Sequence, residues 1–178
     1  IEQRFPPLQP DIERLIQLYL HDMTEHLPFP VGADGLFAYD YLDRFWQHPY
    51  LFHLDGQIAG FALVIDHCPI TQTASCWFMA EFFVLRPYRQ QALGRTMFHA
   101  ILNNHPRRWH IATQSQNRAG DAFWARATPA EGRNDRPPPG HRPAPPACIP
   151  AASPPLTGRS ACGIFVRTTE RAVPAPAR

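Results

Sequence analysis

A short turn joins an apolar strand directly to an amphipathic helix between residues 79 and 96, where the sequence reads MAEFFVLRPYRQQALGRT. The first N–H groups of a helix have no partner inside it, and the helix dipole adds partial positive charge there. Arg89 and Arg95 bring formal positive charge to the same place. Residues 89–94 therefore read either as a phosphate-binding turn or as an ordinary surface turn.

Hydrophobic spacing over residues 1–127 predicts alternating helices and strands. The pair Asp55-Gly56 is a strong turn signal between two strands of a hairpin. The order predicts an α/β fold in which one sheet is flanked by helices. The predicted helices lie at residues 11–27, 39–47, 92–104 and 117–127, and the predicted strands at residues 1–5, 50–54, 58–66, 76–85 and 109–113.

The composition changes abruptly after residue 127. The last 51 residues hold twelve of the 21 prolines, which excludes helices and interior strands over most of that length. Only residues 163–168 read as a strand. We therefore divide the chain into a folded domain, residues 1–127, and a tail, residues 128–178, predicted to lack stable packing. Three explanations of the tail stay open: an out-of-frame or chimaeric end, a disordered extension, or a proline-rich partner-binding module.

Charge and cysteine content argue against several classes of function. Residues 1–127 hold ten arginines and twelve acids, whereas the tail holds seven arginines and three acids. The positive charge thus belongs to the tail, and no nucleic-acid-binding face is expected on the domain. The four cysteines form no C-x-x-C pair and no zinc spacing, so we expect reduced thiols and no metal. Without a long apolar stretch or a leader-like start, a cytoplasmic protein without a membrane span is expected.

The strand, turn and helix resemble the acyl-CoA motif of the GNAT N-acetyltransferases, Arg/Gln-x-x-Gly-x-Gly/Ala. Arg89, Ala92 and Gly94 occupy its specified positions, and Val84 stands five residues before Arg89, as the last residue of the family's fourth strand does. Residues 54–64 resemble the family's hairpin of second and third strands. The Asn-x-x-Ala-x-x-Phe-Tyr spacing that opens the family's fourth helix is matched by Asn117, Gly120, Phe123 and Trp124.

This resemblance implies the GNAT fold, a mixed and mostly antiparallel twisted sheet flanked by helices, with acetyl-CoA as co-substrate. Two features depart from it. Ala92 replaces the first motif glycine, which weakens cofactor binding if that position needs a positive φ. The family's C-terminal hairpin, formed by its sixth and seventh strands, is missing. The residues expected to hold the cofactor are Phe83 and Val84 through their backbones, Arg89, Gln90, Gln91, Ala92, Leu93, Gly94, Arg95 and Thr96 in the turn and helix start, and Asn117.

Acetyl transfer also needs a base to deprotonate the amine. Glu81 is the only carboxylate in an otherwise apolar strand, and burial would raise its pKa towards neutrality. We therefore predict Glu81 as the catalytic base; the alternatives are a solvent-facing or arginine-paired Glu81, with His53 or His110 as the base. The tyrosine that acts as general acid in the family is replaced by Trp124. Because indole cannot release a proton at a useful pKa, water or the amine's own proton would protonate the thiolate.

Three functional hypotheses follow. The first is an acetyltransferase acting on an amine of a small molecule or peptide, the second a degenerate domain that binds acyl-CoA without turnover, and the third an adaptor with a proline-rich tail. The aromatic residues at 39–47 predict core packing, with Tyr39 or Tyr41 at an acceptor pocket as the alternative. With the hairpin missing, residues 109–113 would form an exposed sheet edge, which favours self-association, for example as a homodimer.

Overall fold

The computed structural model describes residues 8–39, 42–69 and 76–128, and the backbone of residues 164–169. The predicted strand at residues 1–5, Tyr41 and most of the tail lie outside the described residues. In chain order the elements are α1 (Leu8–Met23), a 3-10 helix (Leu42–Arg44), β1 (His48–Leu54), β2 (Gln57–Ile65), β3 (Trp77–Val84), a 3-10 helix (Arg86–Tyr88), α2 (Leu93–Asn104), β4 (Trp109–Gln114), α3 (Arg118–Ala127) and β5 (Ile164–Thr169).

The five strands form one sheet in the order β1-β2-β3-β4-β5. The pairs β1–β2, β2–β3 and β4–β5 are antiparallel, and the pair β3–β4 is parallel. A parallel pair needs a crossover connection, which α2 supplies. The mixed, mostly antiparallel sheet with flanking helices confirms the predicted fold class.

Apolar side chains cover both faces of the sheet. The α1 cluster packs α1 and the segment that follows it on one face; its buried members are Ile12, Leu15, Ile16, Leu20, Leu51, Phe61, Leu63 and Phe83. The α2–α3 cluster covers the other face; its buried members are Tyr50, Phe52, Ala62, Val64, Met79, Met97, Phe98, Ile101, Leu102, Trp109, Ile111, Trp124 and Ala127. A smaller cluster joins Ile65, Cys68, Cys76 and Phe78.

β3 and β4 pair only where they begin. The paired residues are Trp77 with Trp109, Phe78 with His110 and Met79 with Ile111. Beyond them, β3 keeps β2 as its partner as far as Val84, and β4 keeps β5. No strand among the described residues pairs with the second edge of β3 over residues 80–84. The two strands therefore separate, and this gap leaves one edge of β3 free to bind a ligand.

A bulge at Ala80 changes the face on which the later β3 side chains lie. Val64 pairs with Met79 and Leu63 with Glu81, so Ala80 has no counterpart on β2. Met79 belongs to the α2–α3 cluster, and without the extra residue Glu81 would lie on that same face, because strand side chains alternate. The bulge places Glu81 on the α1 face instead.

Two helix predictions differ from the structure. α1 begins at Leu8 because Pro10 is tolerated in a first turn, and it ends at Met23 with residues 24–27 forming turns. The predicted helix at residues 39–47 is wrong, because Leu42–Arg44 is the only helical part among its described residues and β1 begins at His48. A segment this short forms no stable helix alone. Its predicted core packing is nevertheless confirmed, since Tyr39, Leu42, Phe45 and Trp46 all pack on the α1 cluster.

The edge of β4 is covered. β5 pairs with all six β4 residues, from Trp109 opposite Thr169 to Gln114 opposite Ile164. The expected exposed edge at residues 109–113 is therefore wrong, and the isolated strand signal at residues 163–168 matches β5. The sequence of β5, rich in β-branched residues, has the composition that strands favour. The tail's other residues lie outside the described part of the chain.

Candidate functional site

Six consecutive backbone N–H groups before and within the start of α2, at residues 90–95, have no hydrogen-bond acceptor among the described residues. Backbone bonds flank the run: Arg89 N–H donates to Arg86 O, and Thr96 N–H donates to Ala92 O. Backbone N–H groups in folded proteins are nearly always paired or solvated. Residues 90, 91, 92 and 95 are exposed and residues 93 and 94 half-buried, and a row of unpaired donors at a helix N-terminus is an arrangement that suits an anion.

The backbone of this turn is strained at two positions. Gln90 has a φ of 65° and Ala92 a φ of 58°, backbone angles that residues other than glycine rarely adopt. Ala92 is the N-cap residue of α2, and no side chain caps the helix. Strain of this kind concentrates at ligand-binding turns. The motif alanine thus occupies the conformation in which glycine would be favoured.

Gly94 is favoured by close packing rather than by its backbone angle. A Cβ atom there would lie 3.1 Å from Cε2 of Phe123 and 3.5 Å from Cγ2 of Val84. Phe123 in turn stacks on Phe82, with ring centroids 5.6 Å apart. Gly94 therefore allows α3 and β3 to approach the start of α2, beside the free edge of β3.

The two arginines of the motif have different surroundings. Arg95 is exposed at the N-terminus of α2. Arg89 instead donates from Nε to Val84 O at 2.8 Å and from Nη2 to Asp22 Oδ2 of α1. Asp22 Oδ1 accepts a second bond, from Nε of Arg86 at 2.9 Å. The charge of Arg89 is thus partly compensated, and the turn is tied to the end of α1.

The two residues predicted to pair with the cofactor through their backbones point in different directions. Leu85 N–H donates to Ala59 O, and Phe83 O lies beside Gly60, so both face β2. Because backbone groups alternate along an antiparallel strand, those of Phe82 and Val84 face the free edge. The backbone groups of Val84 therefore face the free edge, as the predicted role requires, whereas those of Phe83 face β2. Phe82, which the sequence analysis did not name, also faces the free edge.

Glu81 is buried, with 9% of its surface exposed, and contacts two tyrosines. The Tyr39 hydroxyl donates to Glu81 Oε1, and Tyr19 of α1 also hydrogen-bonds the carboxylate. Burial raises the pKa of Glu81 to about 7, and the two tyrosine hydroxyls oppose this rise. Burial and Glu81 together raise the pKa of Tyr19 well above its usual value. The alternatives of a solvent-facing or arginine-paired Glu81 are excluded by this arrangement.

The other candidate bases lie elsewhere. His53 is exposed near the turn between β1 and β2. His110 is buried on β4, with Nδ1 3.6 Å from Sγ of Cys76, and burial lowers its pKa. The structure gives neither histidine a contact with Glu81.

Asn117 and Trp124 both serve the packing of α3. Asn117 Oδ1 accepts the Gly120 N–H at 2.8 Å and caps the helix. The ring of Trp124 is buried against Phe82 and Phe98, with centroids 5.1 and 5.0 Å away. Trp124 therefore belongs to the α2–α3 cluster, in contact with Phe82 at the free edge of β3, and its indole cannot act as a general acid.

Two partners of the site were missed by the sequence analysis. Tyr19 was interpreted only as part of an apolar helix face, and nothing local distinguishes it. Asp22 offered one signal, because an acid near a helix C-terminus is disfavoured by the helix dipole. Among the described residues, no three His, Cys, Asp or Glu side chains are grouped so as to hold a metal. No helix in the described ranges is long and apolar enough to span a membrane.

Comparison with known proteins identifies relatives of this fold. Residues 12–128 match the model of the acetyltransferase (GNAT) family, while no curated protein matches the chain. A GNAT-family acetyltransferase from Streptococcus agalactiae is 14% identical with a TM-score of 0.61, covering 97% of this chain and 95% of its own. The protein smu.2055 from Streptococcus mutans is 16% identical with a TM-score of 0.57, covering 90% and 94%. A GNAT acetyltransferase from Elizabethkingia anophelis, solved with acetyl-CoA bound, is 11% identical with a TM-score of 0.50, covering 75% and 84%.

Proposed function

Because this chain belongs to the GNAT acetyltransferase family, we propose that it transfers the acetyl group of acetyl-CoA to an amine of a small molecule or peptide. One observation carries the proposal: the unpaired N–H groups of residues 90–95 follow, after residues 85–89, a strand whose second edge pairs with no described strand over residues 80–84. A ligand with a pyrophosphate and an amide-containing arm fits both features at once. The acetyl-CoA bound to the Elizabethkingia anophelis protein supports the same ligand for this fold.

The turn would bind the pyrophosphate through backbone groups. The N–H groups of Gln90, Gln91, Ala92, Leu93, Gly94 and Arg95 supply donors, and the dipole of α2 favours negative charge at its start. Arg95 adds exposed positive charge at short range. Thr96 starts the helical bonding that ends the row of free donors.

The free edge of β3 would bind the pantetheine arm. Phe82 and Val84 direct their backbone groups towards the gap, where an amide-containing chain can pair as an added strand does. Arg89 already donates to Val84 O, which leaves the Val84 N–H for a ligand. An N–H near this point would also stabilise the oxyanion of the tetrahedral intermediate.

Glu81 would be the general base. Its pKa of about 7 suits a group that accepts a proton near neutral pH. The carboxylate takes a proton from the ammonium form of the acceptor, and the free amine then attacks the thioester carbonyl that acetyl-CoA supplies. Trp124 cannot protonate the departing thiolate, so the amine's own second proton or water would do so.

A second candidate function is acyl-CoA binding without turnover. Two observations favour it: both described partners of Glu81 are tyrosine hydroxyls that engage the carboxylate, and Trp124 stands where the family has an acid. Such a protein would keep the whole cofactor site and lose only the proton transfers.

Two measurements separate the candidates. Calorimetry with CoA tests the site, and release of free thiol from acetyl-CoA with a panel of primary amines tests turnover. We expect Glu81→Gln to bind CoA normally but to lose turnover by about 10²-fold or more, while Glu13→Gln on the exposed side of α1 changes neither. CoA binding without thiol release for any amine would favour the second candidate. Absence of CoA binding would contradict both.

A further inference from the structure

Asp22, near the end of α1, joins two arginines of the connection between β3 and α2, one at the start of the 3-10 helix and one directly after it. Its Oδ1 accepts from Nε of Arg86 at 2.9 Å, and its Oδ2 accepts from Nη2 of Arg89. One carboxylate thus holds two residues that are 64 and 67 positions away in the sequence. The next residue after Arg89 begins the row of unpaired N–H groups.

The position of Asp22 is unfavourable for the helix alone. It is the second-to-last residue of α1, where the partial negative charge of the helix dipole disfavours an acid. Only 17% of its side chain is exposed. Burial raises its pKa, but the hydrogen bonds and charges of Arg86 and Arg89 outweigh this effect and lower the pKa overall. The two arginines therefore stabilise the charged carboxylate by more than burial destabilises it.

The same contacts leave the turn little freedom. Arg89 is bonded at once to the end of β3, through Val84 O, and to α1, through Asp22. Its guanidinium also lies 5.5 Å from the centre of the Phe83 ring. Arg86 also donates a hydrogen bond from Nη2 to Oε1 of Glu25, at 2.8 Å. No side chain caps the start of α2. Arg89, whose backbone N–H and side chain are both hydrogen-bonded, is the residue immediately before the unpaired N–H groups.

We propose that Asp22 is a positioning residue of the cofactor site, holding Arg86 and Arg89 so that the N–H groups of residues 90–95 converge on the pyrophosphate. This rests on the proposed function. An acid beside an anion site would by charge alone oppose the ligand. Asp22 acts through geometry instead, because it fixes Arg89, the residue immediately before the unpaired N–H groups.

Calorimetry of the full chain with two probes tests this inference. CoA carries the pyrophosphate, whereas S-acetylpantetheine carries only the arm that would lie along β3. We expect Asp22→Asn to weaken CoA binding about tenfold, the effect of one charge-assisted hydrogen bond, and to change S-acetylpantetheine binding less than twofold. Asp11→Asn is the matched control, since Asp11 is an exposed acid on the same helix paired with Arg14, and should change neither.

Asp22→Glu keeps the charge but moves the carboxylate by one methylene group, and it serves as the second variant if Asp22→Asn does not fold. A positioning role predicts that Asp22→Glu also weakens CoA binding, whereas a role in neutralising charge predicts no change. Unchanged or tighter CoA binding in Asp22→Asn would overturn the inference, as would an equal loss for both probes. If the unmodified chain bound S-acetylpantetheine but not CoA, the proposed pyrophosphate site itself would be wrong, and the inference with it.

Discussion

At the scale of single residues, Ala92 holds a left-handed backbone conformation that disfavours its own side chain. An alanine in this conformation lowers the stability of the folded protein by about 1–2 kcal/mol. This exceeds the stability that a glycine loses through its larger backbone entropy in the unfolded chain. We predict that Ala92→Gly stabilises the protein by up to about 1 kcal/mol and tightens CoA binding. Asp55→Gly is the matched control, because Asp55 also has a positive φ, of 51°, but lies in the turn between β1 and β2, outside the proposed site; it should gain stability only. Thermal melting and calorimetry check both effects; an unchanged melting temperature for Ala92→Gly would contradict the strain.

Burial of Glu81 makes stability depend on pH. Since burial raises its pKa to about 7 in the folded state, the folded protein holds the proton more tightly than the unfolded chain. The resulting stability is present below the unfolded pKa of about 4.5 and is lost as the pH rises to about 7. We predict that Glu81→Gln is more stable than the unmodified chain at pH 8, by a few kcal/mol at most, and loses this advantage at pH 4. Urea unfolding at both pH values checks this, with Glu13→Gln as the control.

Tyr39 opposes the rise that burial causes in the pKa of Glu81, through one hydrogen bond. The bond favours the charged carboxylate, so its loss should raise the Glu81 pKa by about one unit. If Glu81 is the base, Tyr39→Phe should move the acidic limb of the kcat/KM profile to higher pH and leave the KM for acetyl-CoA unchanged. Tyr50→Phe removes a comparable bond, to His105, far from Glu81 and should not move the limb. A profile that Tyr39→Phe leaves in place would argue against Glu81 as the base.

At the scale of elements, the sequence predicted what depends on neighbouring residues and missed what depends on distant ones. The apolar periodicities located α2 and α3 within one residue of their observed starts, at Leu93 and Arg118. The bulge at Ala80 could not be predicted, because an extra residue in a continuously apolar strand leaves no mark in the pattern. The contact between Asp22 and Arg89 likewise joins elements that only the folded sheet brings together.

The pairing of β2 with β3 depends on a glycine that the sequence analysis included only as part of a hairpin. A Cβ atom on Gly60 would lie 2.2 Å from Phe83 O, a distance that forces the strands apart. We predict that Gly60→Ala destabilises the protein by about 3 kcal/mol or more and weakens CoA binding by shifting β3. Gly56→Ala, whose Cβ would meet no atom within 4 Å but whose φ is 76°, should cost only about 1 kcal/mol. Equal melting temperatures for the two variants would contradict the steric argument.

At the scale of the whole molecule, β5 protects the edge of the sheet. An uncovered strand edge offers unpaired N–H and C=O groups to another chain. We predict that a chain ending at residue 163 self-associates, while one ending at residue 169 behaves as the full chain does. Sedimentation velocity at several concentrations distinguishes the two. If the chain ending at residue 163 stayed monomeric, β5 would not be what keeps β4 from pairing.

Three residue pairs join β3 to β4, against seven between β1 and β2 and six between β4 and β5. The sheet thus consists of two parts, β1-β2-β3 and β4-β5, joined by these three pairs. Local unfolding starts where a structure has the fewest stabilising contacts. Hydrogen exchange should therefore find two cooperative units, divided between β3 and β4. A molecule lying in the gap would hydrogen-bond to the first part through the β3 edge and contact the second part. In the bound protein, the amide hydrogens of both parts should then exchange in a single cooperative unfolding step. The ligand would supply the coupling that three residue pairs between β3 and β4 do not provide.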